Sequence, residues 1–196
     1  MIPLEFGRYY HIYNHANGED LLFREEKNYT FFLEKYHKYL DSVVETIAWC
    51  LMPNHFHLLV RIKSDEEIAD HPGFENLDGL SDKEKSNLIS KQFSNFFNSY
   101  TKAFNKVYQR RGSLFLKNFK RKEITDDKYF RNLILYLHNN PVHHRFTTDF
   151  EKYPWTSYQS FIHQQSDYLI QYFDDVKNYH HAHKIYHTTI EMEFEE

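Results

Sequence analysis

Cysteine is almost missing from this chain: Cys50 stands alone among 196 residues. One thiol cannot close an internal disulfide or build a cysteine-based zinc site, so any metal must find other ligands. Its setting, Ile47-Ala48-Trp49-Cys50-Leu51, predicts a buried structural thiol. Glycine and proline are scarce, five of each, which argues against long flexible linkers. No apolar run approaches the roughly 20 residues needed to span a membrane. The opening Met1-Ile2-Pro3-Leu4-Glu5 lacks the basic and apolar segments of a secretory signal. These absences set the expectation of a soluble cytoplasmic protein with no membrane partner.

What is present is aromatic and unevenly charged. Hydrophobic residues at 41% and charged residues at 27% place the chain among globular proteins rather than disordered ones. With 16 Tyr and 18 Phe, the rings can fill a core or offer faces on which unpaired bases stack, and composition leaves both open. The net charge of -4 argues weakly against a nucleic-acid partner. Its distribution argues the other way. Between Tyr100 and Lys122 stand Lys102, Lys106, Arg110, Arg111, Lys117, Lys120, Arg121 and Lys122, with no acid among them. The acids lie elsewhere, notably at Asp65-Glu66-Glu67 and from Glu191 to Glu196. A charge run is commonly a solvated face. Here Phe104, Tyr108, Phe115 and Phe119 are interleaved with it, the pattern of a groove that tracks phosphates.

Periodicity predicts strands at Arg8 to Tyr13, Val43 to Leu51, His55 to Ile62 and Phe119 to Ile124. Met52-Pro53-Asn54 turns the middle pair into a hairpin. Helices are expected from about Glu25 to Leu40 and from Ser81, with Glu84 completing a capping box, toward Gly112. A third helix should start at Thr125 or Asp126 and stop at Asn140-Pro141, because proline disfavours helix in the residue before it. Ser64 to Gly79 reads as an acidic loop, and one further helix is expected over about Tyr168 to Tyr186. The order β-α-β-β-α-β is the split βαβ, ferredoxin-like arrangement, an α+β fold with helices packed on one face of an antiparallel sheet. Residues 1–142 form the expected core and 143–196 a helical C-terminal extension.

The sharpest local signal is Met52-Pro53-Asn54-His55-Phe56-His57-Leu58-Leu59-Val60. Alternation along a strand points His55 and His57 to one face, where two imidazoles can share a divalent cation if a third ligand arrives from elsewhere. A bare His-x-His is more often structural. The partner candidate is the third helix, where Tyr136 and Asn140, four residues apart, lie on one face. An amide carbonyl can ligate a metal, and a tyrosine hydroxyl one turn away could attack a metal-bound phosphate. Core packing explains the same tyrosine, and spacing alone leaves the choice open.

The stretch Pro53-Asn54-His55-Phe56-His57-Leu58-Leu59-Val60 resembles the His-hydrophobic-His motif of single-tyrosine HUH transposases. Tyr136-Leu137-His138-Asn139-Asn140-Pro141-Val142 is similar to the tyrosine signature of the branch associated with repetitive extragenic palindromes (REP). Tyr10-His11-Ile12-Tyr13-Asn14, Arg111-Gly112-Ser113-Leu114-Phe115 and Tyr153-Pro154-Trp155-Thr156-Ser157-Tyr158 add to the likeness in the family's order. The insertion-sequence branch usually carries Gln where Asn140 stands.

The resemblance implies that His55, His57 and Asn140 hold Mg²⁺ or Mn²⁺ against a phosphate of single-stranded, hairpin-containing DNA. It implies that Tyr136 is the nucleophile, and it allows a homodimer. The basic residues from Lys102 to Lys122 then gain a role on the DNA backbone. A non-catalytic nucleic-acid-binding module on the same fold is the first rival. A metal-dependent hydrolase is the second, but no carboxylate falls at a telling spacing for it. The cluster His180, His181, His183 and His187 reads as a solvated helix face more readily than as a metal site.

Overall fold

Branched and aromatic residues alternating with period two build strands β1 at Tyr9–His15, β2 at Val44–Met52, β3 at His55–Ile62 and β4 at Lys120–Ile124. The computed structural model describes residues 2–68, 74, 77–163 and 167–189, without the side chains of 78 and 187–189. The strands form one antiparallel sheet ordered β2-β3-β1-β4. Helices α1 (Glu26–Leu40), α2 (Asp65–Ile68) and α3 (Asp82–Val107) precede β4, and α4 (Asp127–His143) follows it. Three more, α5 (Tyr158–His163), α6 (Asp167–Phe173) and α7 (Val176–Thr189), make the C-terminal part. No described helix is long and apolar enough to cross a membrane.

The α+β class and the antiparallel sheet are as the sequence predicts, with α1 and α3 of the split βαβ unit on one face. Tyr10, Ile12, Phe56, Leu58 and Val60 from the sheet meet Phe32 and Tyr36 of α1 and Phe93, Phe96 and Phe97 of α3 there. The opposite face is covered too. Ala48, Cys50, Met52, Leu59 and Ile124 meet Phe130, Leu133, Ile134 and Leu137 of α4. Central strand β3 is therefore buried on both sides along most of its length, as a strand between two helical layers must be. Most described rings are spent on these two cores, which settles much of the aromatic excess in favour of packing.

Helix ends follow from side chains. Ser81 Oγ accepts from Glu84 N, and the Glu84 carboxylate accepts from Ser81 N at 2.9 Å, the expected capping box. Asp126 caps α4 by accepting from Tyr129 N at 2.7 Å. That helix does not stop at Pro141, as predicted, but runs to His143. Proline sits in its last turn, where its missing N–H costs the one bond to the Leu137 carbonyl and the helix continues only two residues further. The N–H groups of His144 and Phe146 bond the carbonyls of Asn140 and Pro141, and Arg145 turns the chain with φ of 61°. The single helix expected over 168–186 is two. Asp174 breaks it at φ 65°, and the Asp175 carboxylate accepts from Asn178 N at 2.7 Å to start α7.

The C-terminal part is fastened to α4 by a closed polar network. His183 Nδ1 donates to the Tyr179 carbonyl at 2.8 Å, so its Nε2 accepts from His138 Nδ1 at 2.9 Å. His138 Nε2 then accepts from Ser157 Oγ at 2.8 Å, and Ser157 Oγ accepts from Trp49 N of β2. His183 is thus a core residue rather than part of a solvated face, because Tyr179, His183 and Tyr186 line the inner side of α7. His181 is exposed as expected. The side chain of His187 and the acidic tail from 191 lie outside the described residues.

Burial, with the charges of His180 and Arg131 adding to it, pushes the pKa of His183 down to about 3. A base whose folded pKa lies below its unfolded value of about 6.5 contributes full stability above that pH and loses it below, as the unfolded chain takes the proton. Unfolding free energy should therefore be flat above pH 7 and fall as pH drops from about 6.5. Each such histidine can add up to about 1.4 kcal/mol per pH unit. Urea titrations from pH 8 to 5 should show a shallower slope in His183→Phe. An unchanged slope would rule out a neutral, buried His183.

Candidate functional site

The face of the sheet beneath α4 is apolar at one end and histidine-rich at the other. Register makes it so: β3 puts His55 and His57 on this face, and the antiparallel pairing sets His15 opposite His55 and Tyr13 opposite His57. His11 lies diagonally from His57, and the rings stack across the strands, His15 on His55 at 4.5 Å and Tyr13 on His57 at 5.4 Å. The two motif histidines are themselves 5.2 Å apart, ring centre to ring centre, and nearly perpendicular.

α4 closes this end from above. Tyr136 stands edge-on to His57 at 5.4 Å, and His144, two turns on, lies against His55 at 4.8 Å. Asn140 is midway between them at helical spacing, so its side chain projects toward the same pair. It is fully buried, and Tyr136 is 2% exposed.

The donor atoms fit a divalent ion. His55 Nε2, His57 Nε2, Asn140 Oδ1 and Asn140 Nδ2 are all buried without a hydrogen-bond partner. The other imidazole nitrogens are occupied: His55 Nδ1 contacts Asn54 Oδ1 at 2.7 Å, and His57 Nδ1 contacts His11 Nε2 at 2.9 Å. Burial, reinforced by His15 and His144, holds His55 down at about 3, and burial holds His57 well below its ordinary value. Both imidazoles are neutral near pH 7, the form that offers a lone pair to a metal. Among the described residues no three His, Cys, Asp or Glu side chains gather as a metal site, so an ion here needs the amide of Asn140.

The basic residues do not act as one patch. Lys120 and Lys122 of β4 share the histidine face, being paired with Tyr13 and His11. Lys117 and Lys120 line a pocket of about 500 Å³ together with Tyr13, His15 and His57. Lys122 also lies 4.5 Å over the Tyr129 ring. Arg111 is exposed on the loop before β4. Arg121 points to the opposite face, where it donates to Ser90 Oγ at 3.0 Å and covers Phe119. Lys102 and Lys106 are exposed on α3, across the sheet from the histidines, and Lys106 borders an apolar groove between α1 and α3. Arg110 is engaged: it pairs with Asp20 and donates to Asn105 Oδ1 and to the Gly112 and Ser113 carbonyls.

Sequence reasoning overlooked His11, His15, Asn54 and His144 as neighbours of the pair. The signal was available in His11-Ile12-Tyr13-Asn14-His15, whose alternation puts three polar rings on one face of β1. What it lacked was the register.

No family model matches the chain. A Haemophilus influenzae protein whose name gives it provisionally as a REP-associated tyrosine transposase is 26% identical over 117 residues. The match covers 58% of this chain and 58% of that protein, less than two thirds of the relative's length. A solved REP-associated tyrosine transposase bound to a REP hairpin is similar in structure, with TM-score 0.57 and 17% identity over 84% of each chain. At that identity the structural likeness speaks for the fold. The resemblance to REP-associated tyrosine transposases read from the motifs is borne out by the name of the sequence relative, and the structural neighbour bears out the fold.

Arg110 and Lys117 should differ in what they contribute to stability. Arg110→Ala should cost about 2 kcal/mol of stability through lost charge-assisted hydrogen bonds, read by urea unfolding. Lys117→Ala should leave stability within about 0.5 kcal/mol. Equal destabilisation by both changes would contradict this division.

Proposed function

We propose that this chain is a single-tyrosine enzyme of the REP-associated transposase kind, which cleaves and rejoins single-stranded DNA beside a hairpin. One observation carries the reading: the only three residues named for metal ligation each present a buried polar atom with no protein partner, beside the ring of Tyr136. A merely structural histidine pair would be satisfied, as His138 and His183 are in the network that joins α4 to α7. The motif resemblance and the named relative give the substrate class.

Mg²⁺ or Mn²⁺ held by His55, His57 and Asn140 would supply Lewis-acid polarisation of the scissile phosphate. The chain's own part is nucleophilic. The Tyr136 oxygen forms a bond to phosphorus as the bond from phosphorus to the 3′ oxygen breaks, giving a 5′-phosphotyrosine and a free 3′-hydroxyl. The phenolic proton leaves during attack, and the departing 3′ oxygen gains one. Attack by another 3′-hydroxyl reverses these changes and joins strands, so the phosphodiester energy is conserved throughout. Lys117, Lys120 and Lys122 hold the backbone on the histidine face, which fixes position without reading sequence.

The near-complete burial of Tyr136 favours a second reading, a non-catalytic binding module on the same fold. One experiment divides them. Incubation with a hairpin-containing single-stranded oligonucleotide and Mn²⁺ should give a covalent protein–DNA adduct, visible in denaturing gels, that vanishes with EDTA and in Tyr136→Phe. Cleavage surviving Tyr136→Phe would sink the nucleophile assignment. Tight binding with no metal-dependent adduct would select the module.

A further inference from the structure

The two histidines of the candidate centre are alike in a way that their spacing does not require. Each is held at Nδ1 by a side chain from outside the ligand set, His55 by Asn54 Oδ1 at 2.7 Å and His57 by His11 Nε2 at 2.9 Å. Each leaves Nε2 buried and unpartnered, on the sheet face that α4 covers. We propose that His11 and Asn54 are positioning residues that fix both ligand imidazoles as the Nδ1–H tautomer, with the Nε2 lone pairs aimed at the metal. The inference rests on the metal reading of the preceding section and adds to it two residues which that reading does not use.

The chemistry has one consistent assignment at His55. An amide oxygen only accepts, so the contact to Asn54 requires a proton on His55 Nδ1, and Nε2 is then a bare lone pair. At His57 the partner is another imidazole, and the proton between the rings could sit on either nitrogen. On His11 Nε2 it would force the His57 proton onto Nε2, leaving an N–H donor buried without an acceptor and closed to a metal. On His57 Nδ1 it leaves an acceptor at Nε2, matching His55. Orphaned buried N–H groups are the rarer kind, which favours the second arrangement.

Packing holds the assignment in place. His11 is buried, its ring meets His57 nearly in plane with centres 5.1 Å apart and planes 24° apart, and Tyr13 stacks on both at 4.8 and 5.4 Å. The same imidazole also stands edge-on to Tyr136 at 6.3 Å. His11 thus borders both a ligand and the nucleophile's ring, while Cys50, opposite His57 on β2, is a buried thiol.

Nitrogen-15 NMR of the imidazoles in the full chain without metal gives the first test. His55 and His57 should both show a protonated Nδ1 and an unprotonated Nε2. A protonated Nε2 at His57 would overturn the assignment to His11. The second test is Mn²⁺ affinity by calorimetry. His11→Phe keeps an aromatic ring but offers no acceptor, and it should weaken Mn²⁺ binding by about 10- to 100-fold. His11→Gln, which returns an oxygen near the position of Nε2, should recover most of that loss. Asn54→Leu should weaken binding similarly through His55. Unchanged affinity in His11→Phe would refute the positioning role. Should that variant not fold, the tautomers of the unaltered protein and the Gln variant decide. An unaltered chain with Nδ1–H tautomers that binds no Mn²⁺ would overturn the metal reading itself.

Discussion

The register between β1 and β3 is the constraint on which the site depends. Pairing Tyr13 with His57 and His15 with His55 brings the rings of two strands into one stack. A slip of one residue would turn His11, Tyr13 and His15 into the core beneath α1 and α3, and Ile12 toward α4. Nothing about the histidines themselves fixes that register. It is set by the apolar residues on the other face, where Tyr10, Ile12, Phe56, Leu58 and Val60 must all be buried together. One face of the sheet fixes the register by packing, and the histidine end of the other receives a polar arrangement that packing alone would not select.

That arrangement carries a cost. A buried polar atom without a partner is unfavourable by about 1–3 kcal/mol, and His55, His57 and Asn140 carry four such atoms. The helix stays in place because it is fastened elsewhere. Phe130, Leu133, Ile134 and Leu137 bury against β2, β3 and β4, while His138 joins it to α7 and to Ser157 on the other side. His138 lies between Tyr136 and Asn140 in sequence but faces away from them, so one helix serves both purposes. The contrast within α4 is informative: its structural histidine is fully bonded, whereas its site residue Asn140 is not.

Much of this was legible in the sequence, for identifiable reasons. The strands, the hairpin at Pro53-Asn54, the capping box at Ser81 and the facing of Tyr136 and Asn140 all follow from local periodicity and side-chain chemistry, which act over a few residues. Three things were not. The path of α4 through Pro141 depends on bonds made after the proline, by His144 and Phe146. The break at Asp174 depends on a left-handed residue that is not glycine. Burial of His183 depends on α7 folding back on α4, a contact between elements that no pattern within α7 announces. His11 and Asn54 belong to the same class, since their role requires knowing what stands across the sheet or beside the ring.

The charge pattern shows why sums mislead for a chain like this. At physiological ionic strength exposed charges are screened beyond about 8 Å, so a phosphate feels nearby cations rather than a net of -4. Several acids are also already paired at a distance from the histidines: Asp20 with Arg110, Glu45 and Glu67 with Arg61, and Asp65 with Lys85. Around the pocket beside His57, the cations Lys117 and Lys120 line the wall. The one described acid on β4, Glu123, points to the other face, paired with Tyr10 rather than with a histidine-face residue. A strand that alternates Lys120, Arg121, Lys122 and Glu123 thereby presents lysines alone toward the histidines. Strand alternation sorts the charges so that an acidic protein keeps a basic approach to its one histidine-lined face.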